Sequence, residues 1–220
     1  MADAFEMLAR AILRRSSDVA HDIKTPLNIV ALNVELLRMR LRSIAVEIDG
    51  DDKIQEHCRS IDRETRRVSA IADAFLSVAR IPEDAQPERK NAAAVIVEAM
   101  RAESFTVDDA DACDLSVYSS RLEKAGKMLA SGLATVIDVE HSEVECLVEG
   151  GRLTLRVEGP LRDERVEIGK LFKFYYTDPS GEPNLRLAMA QLLLESIGGS
   201  IDMQISEETV QFRIELQGDE

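Results

Sequence analysis

A chain of 220 residues with a formal net charge of −14 and 31 % charged residues is long enough for one large domain or two small ones. The negative balance argues against nucleic acid or an anionic membrane as the main partner. There is no apolar run long enough for a membrane span, Met1-Ala2-Asp3-Ala4-Phe5-Glu6 is no apolar signal run, and Cys58, Cys113 and Cys146 form no CxxC pair, so neither a disulfide framework nor a zinc site is indicated and a reducing cytoplasm is expected.

In chain order, residues 5–80 come first and are nearly free of glycine. Two apolar ladders, Ile23, Val30, Leu37, Ile44 and Leu27, Val34, Leu41, Ile48, each step by seven and are offset by four. That is the a/d seam of a long helix in a bundle. After the turn residues Asp49-Gly50-Asp51-Asp52, a second pair follows: Ile54, Ile61, Val68, Phe75, and the weaker Cys58, Thr65, Ala72, Ala79. The expectation is a hairpin of two helices of about 40 and about 28 residues, whose half-exposed seam is covered by pairing two copies into a four-helix bundle. A homodimer through residues 5–80 is therefore expected, with packing of the hairpin on the rest of the chain as the alternative.

A linker is expected at 81–91, opened by Ile81-Pro82-Glu83-Asp84-Ala85-Gln86-Pro87-Glu88. Beyond it, helices are expected at 92–103, 120–139, 166–176 and 185–197, and strands at 114–119, 143–149, 152–158, 201–205 and 210–216. Gly150-Gly151 closes a hairpin, and Gly198-Gly199 caps the last helix. The fold class is α+β: a helical hairpin over 1–80, the linker, and over 92–220 an α/β sandwich of one mixed sheet with helices on one face.

The chemistry concentrates at His21-Asp22-Ile23-Lys24-Thr25-Pro26-Leu27-Asn28. With Ile23 and Leu27 in the seam, His21 projects sideways into solvent. Thr25 lies one turn on, and Asn28, Leu32 and Glu35 continue the stripe. A neutral imidazole can attack phosphorus, and Asp22 can accept the other ring proton and hold the tautomer. Thr25 can orient a water toward a phosphorylated partner. Pro26 inside a helix costs about 3 kcal/mol and loosens it just past the reactive site. An exposed Leu32 suits partner docking. The bland alternative is a plain surface histidine.

Ala20 to Asn28 resembles the H-box of bacterial sensor histidine kinases. The resemblance implies that residues 5–80 form a dimerisation and phosphotransfer domain with His21 as phosphoacceptor. Asp22 would aid transfer and Thr25 would support dephosphorylation of the partner. Lys24, Asn28, Leu32 and Glu35 would extend the docking face for response-regulator receiver domains, which would bring their own magnesium.

The second domain resembles the family's ATP-binding sandwich in its order of elements but departs from its motifs. The helix from Lys124 to Ala134 holds no asparagine where the family holds magnesium and phosphates. In place of Asp-x-Gly-x-Gly the chain reads Glu158-Gly159-Pro160-Leu161-Arg162, leaving Glu158 as a shifted acid. In Gly181-Glu182-Pro183-Asn184-Leu185-Arg186, the residues Asn184 and Arg186 replace glycines that let a backbone approach phosphates. Leu171 to Thr177 resembles the F-box, although its aromatics also suit plain core packing. His57 and His141 read as surface residues. No resident cofactor or metal site is expected. The functional expectation is a histidine phosphotransferase passing a phosphoryl group between receiver aspartates through His21. The alternatives are an ATP-dependent sensor histidine kinase, or a catalytic fragment of one, and a non-catalytic pseudokinase scaffold.

Overall fold

The structure is a computed structural model that describes residues 27–28, 30–39, 41–42, 52–79, 87–173, 176–206 and 209–217. The chain divides into two compact units, Met1–Ile81 and Pro82–Glu220.

In the first unit, residues 30–39 are helical (α1), as are 27–28 and 41–42, and a 28-residue helix, α2, runs Asp52–Ala79. Val34 on α1 is buried, with Leu27 and Leu41 of the same ladder half-buried. On α2 the buried residues are Cys58, Thr65 and Ala72, of the ladder that looked weaker in the sequence, together with Leu76, which belongs to neither ladder. Its small side chains tolerate close approach, and Thr65 Oγ1 satisfies itself by donating to the Ile61 carbonyl at 2.7 Å. The bulkier ladders face outward: Val30 and Leu37 are 44 % and 56 % exposed, Ile61 and Val68 47 % and 38 %.

The second unit opens with β1 (Glu88–Asn91), inside the stretch expected to be linker. It pairs antiparallel with β2 (Asp114–Val117) in a sheet of its own. Between them lies α3 (Ala92–Ala102), whose N-cap Asn91 accepts from Ala94 N and also from Cys113 N, tying the helix start to the approach to β2. Helix α4 (Ser119–Leu133) precedes the hairpin of β3 (Glu143–Glu149) and β4 (Arg152–Gly159), turned by Gly150 and Gly151, both at positive φ. Helix α5 (Arg186–Glu195), β5 (Ser200–Ile205) and β6 (Val210–Gln217) complete the fold. The main sheet runs β3-β4-β6-β5, antiparallel throughout.

Three expectations are corrected. The single mixed sheet is instead a four-stranded antiparallel sheet with a separate two-stranded ribbon. Residues 166–176 do not form an α-helix. They hold one 3-10 turn, Ile168–Lys170, and a run of i→i−3 bonds (Leu171 N to Ile168 O, Lys173 N to Lys170 O, Tyr176 N to Lys173 O). Val166, Leu171 and Tyr176 are buried at a spacing of five, which no α-helical face can serve. Helix α4 also stops well before residue 139, because tight turn bonds (Thr135 N to Gly132 O, Val136 N to Leu133 O) swing Ile137 into a bridge with Leu161.

The core lies between the inner face of the main sheet and the helices. Leu153, Leu155 and Val157 of β4 alternate inward with Val210, Phe212, Ile214 and Leu216 of β6. Helix α4 packs against both α3 and α5. Phe212 is fully buried and meets Phe172 edge-on at 6.3 Å between centroids. Phe212→Ala is expected to destabilise the chain by about 3–5 kcal/mol in denaturant unfolding, whereas Leu147→Ala, at an exposed site on the edge strand, changes it by less than about 0.5 kcal/mol.

Candidate functional site

His21, Asp22, Lys24 and Thr25 lie outside the described residues. Asn28, Leu32 and Glu35 are described, helical and exposed, as the stripe requires. Leu32 is 62 % exposed, and it is joined by two residues that sequence reasoning missed, Leu36 and Met39, at 44 % and 52 %. The i, i+4, i+7 spacing of Leu32, Leu36 and Met39 puts them on one arc of α1, away from buried Val34. That spacing was visible in the sequence, but the seven-residue ladders drew the eye to the seam. Glu35 sits at the rim of the arc, paired with Arg38 at 3.1 Å. Surface pairs of this kind add little stability and chiefly set charge at the rim.

The second group of candidate residues lies at one end of the sandwich. The alternation of β4 sets Glu158 on the face away from the helices. Its carboxylate accepts from Thr209 Oγ1 at 3.1 Å and from Gln211 Nε2 at 2.9 Å. The inward position at the end of β4 is Gly159, which is buried. A Cβ there would lie 2.8 Å from Ile137 Cγ2 and 3.0 Å from Ser142 Cβ. Gly181 is exposed at φ +90° in a turn held by Asp178, whose Oδ1 accepts from Ser180 N, Ser180 Oγ and Glu182 N. These bonds hold the Asp178 carboxyl below the ordinary carboxylate range, against the opposing effect of partial burial.

Asn184 is buried. Its Nδ2 donates to Thr135 Oγ1 at 3.0 Å, and its Oδ1 accepts from Arg186 N at 3.3 Å. Arg186 itself points to solvent. Nearby, Arg162 donates from Nη1 to the Ala134 carbonyl at 2.9 Å, and Asp138 N donates to Pro160 O at 3.0 Å. The inward acid, the asparagines on α4 and the paired glycines before α5 that an ATP site of the resembled family calls for are thus not supplied by these residues. Among the described residues no cluster of three His, Cys, Asp or Glu could hold a metal ion. No described helix is long and apolar enough to cross a membrane.

The helices of the first unit, and the antiparallel sheet with helices on one face in the second, make up the α+β class expected from the sequence. Residues 12–84 match the family model of the His Kinase A (phospho-acceptor) domain. The fold is similar to that of the histidine kinase AdeS of Acinetobacter baumannii, at 16 % identity and a TM-score of 0.51, covering 91 % of this chain and 98 % of that one. Full-length ShkA, solved in complex with AMPPNP, gives 13 % identity and a TM-score of 0.49 over 92 % of this chain and 45 % of its own. The catalytic domain of histidine kinase ThkA gives 16 % identity and a TM-score of 0.45 over 60 % of this chain and 95 % of its own. Comparison with curated proteins finds no match.

His141 is no candidate for phosphate chemistry. It closes the short 3-10 turn Val139–His141 in solvent, with Nδ1 2.8 Å from Asp138 Oδ2. The hydrogen bond that the ring donates to Asp138, and then the charge of that carboxylate, raise the imidazole pKa above the ordinary 6.5. The protonated pair therefore contributes stability at low pH, which fades as pH rises through the folded-state value. An NMR titration is expected to place His141 above 6.5, and Asp138→Asn should bring it back toward that value.

Proposed function

We propose that this chain is a histidine phosphotransferase that moves phosphoryl groups between receiver aspartates through His21, without ATP as donor. The observation that carries the reading is a contrast: an intact His21-Asp22-x-x-Thr25-Pro26 motif inside a His Kinase A domain, beside a sandwich whose Glu158 faces away and whose inward position is Gly159.

The reaction follows from this chain's own residues. The lone pair of a neutral ring nitrogen of His21 attacks the phosphorus of a receiver's aspartyl phosphate. A P–N bond forms as the acyl P–O bond breaks, and the aspartate leaves as carboxylate. Asp22 holds the other ring N–H and stabilises the charge that develops on the ring. Transfer to a second receiver runs the same steps in reverse, with magnesium brought by the receiver. Thr25 positions a water for loss of phosphate from the partner.

In the helical register read from the sequence, His21, Thr25 and Asn28 fall on the same stripe as Leu32, Leu36 and Met39. Receiver and phosphoacceptor therefore meet on one face. Lys24 and Glu35 supply charge at its margin. The outward Val30, Leu37, Ile61 and Val68 form a second apolar face, which a homodimeric four-helix bundle covers. His Kinase A domains typically dimerise, which supports that assembly.

The test is to incubate the full chain with labelled ATP and, separately, with a labelled phospho-receiver. Label is expected on His21 from the receiver and not from ATP, and His21→Ala is expected to abolish it. Label from ATP would favour a kinase, and label from neither source would favour a scaffold. Two surface variants separate the two apolar faces. Leu37→Asp is expected to shift the dimer toward monomer in sedimentation. Leu32→Asp should leave the dimer intact and weaken receiver binding about tenfold, or about 1.4 kcal/mol. Equal loss of both by Leu32→Asp would overturn the face assignment.

A further inference from the structure

We infer that the nucleotide end of the sandwich is closed sterically, by packing of the chain's own side chains, and is not merely short of ligand groups. The inference extends the phosphotransferase reading, and it stands on separate observations. At the end of β4, Gly159 has no room for a methyl group: Ile137 Cγ2 would be 2.8 Å away, where carbon atoms pack best at about 3.5–4.0 Å. Ile137 is fully buried there and fixed by its bridge to Leu161. At the end of α4, a Cβ on Gly132 would lie 2.8 Å from Leu187 Cδ2 and 3.2 Å from Arg186 Cβ, so the first turn of α5 is pressed onto α4.

Polar groups close the same end. Both ends of the buried Asn184 amide are used within the chain, toward Thr135 Oγ1 and Arg186 N, and Arg162 is spent on the Ala134 carbonyl. A base or a phosphate entering here would have to displace buried apolar contacts and strand the hydrogen-bonding groups of the buried Asn184 amide. Restoring the family's residues therefore does not restore the site. Glycines at 184 and 186 leave Ile137 and Leu187 in place, and an acid at 159 has no volume to occupy.

The experiment is equilibrium binding of Mg·trinitrophenyl-ATP, with Mg·ATP as competitor, to the full wild-type chain and to the Asn184→Gly/Arg186→Gly double variant. Neither is expected to show competable binding up to about 1 mM. Saturable, ATP-competable binding by either protein would overturn the closure. Should the double variant unfold by circular dichroism, hydrogen exchange on the wild type decides. Amides at 160–162 and 184–187 are expected to keep the same protection with and without about 1 mM Mg·ATP, and added protection overturns the inference. Receiver-to-His21 transfer, measured on the same samples, separates the two readings. Nucleotide binding with transfer retained removes the closure alone. No binding and no transfer removes the phosphotransferase reading alone.

Discussion

The second unit depends on the alternation of β4. Its pairing with β3 on one side and β6 on the other fixes its register over all of Arg152–Gly159, and a slip of one residue would expel Leu153, Leu155 and Val157 from the core. That constraint is far stronger than any preference of a single polar side chain. It puts Glu158 outside, where Thr209 and Gln211 satisfy it, and leaves position 159 facing the helices. Once Gly159 is inside, the volume above it must be filled. Ile137 fills it, which is why the chain leaves α4 early and bridges to Leu161.

The first unit is governed by a different constraint, the limited number of faces on a helix. Its buried line is small: Cys58, Thr65 and Ala72 on α2, with Val34 on α1. Among the described residues, several large apolar side chains of both helices are left exposed. The exposed ones fall into two groups. Val30 and Leu37 border the buried line, as Ile61 and Val68 do on α2, while Leu32, Leu36 and Met39 lie across α1 from it. An ordinary surface helix has one apolar stripe and a polar back. The described part of α1 instead carries two apolar arcs, and the proposed function gives one to a bundle partner and the other to a receiver.

The elements whose pattern was simple were legible in the sequence. The heptads announced the hairpin, and the alternating β3, β4 and β6 with Gly150-Gly151 announced the sheet. The His21 octet carries the expectation of a phosphoacceptor, and His21 to Pro26 lie outside the described residues. Residues 166–176 were misread because their apolar content suggests a helix, while the described ones hold one 3-10 turn and further i→i−3 bonds. Strand β1 was hidden because Glu88-Arg89-Lys90-Asn91 is polar throughout and pairs only with β2, without a buried face to mark it. The choice between the two ladders of each helix was also hidden. Side-chain bulk suggested that Ile61 and Val68 would be inside, but close helix approach favours the small residues.

The sequence showed that ligand-binding residues were missing from the sandwich, but it did not show what took their place. Asn184 looked like a side chain crowding a phosphate and is instead an internal strut to Thr135. Arg186 looked like a second obstruction and points to solvent, while its neighbour Leu187 does the filling against Gly132. This substitution has an energetic logic. A pocket held open for a ligand is a cavity that lowers stability until the ligand arrives, by about 24 cal/mol per Å³ in well-packed cores. In this chain Ile137 packs against Gly159 and Leu187 against Gly132 at that end. The retained elements, the inward faces of β4 and β6 and the α4–α5 contact, are those whose loss would unfold the unit. The departures from the family fall at the one end where a ligand, and not the core, would have set the residue.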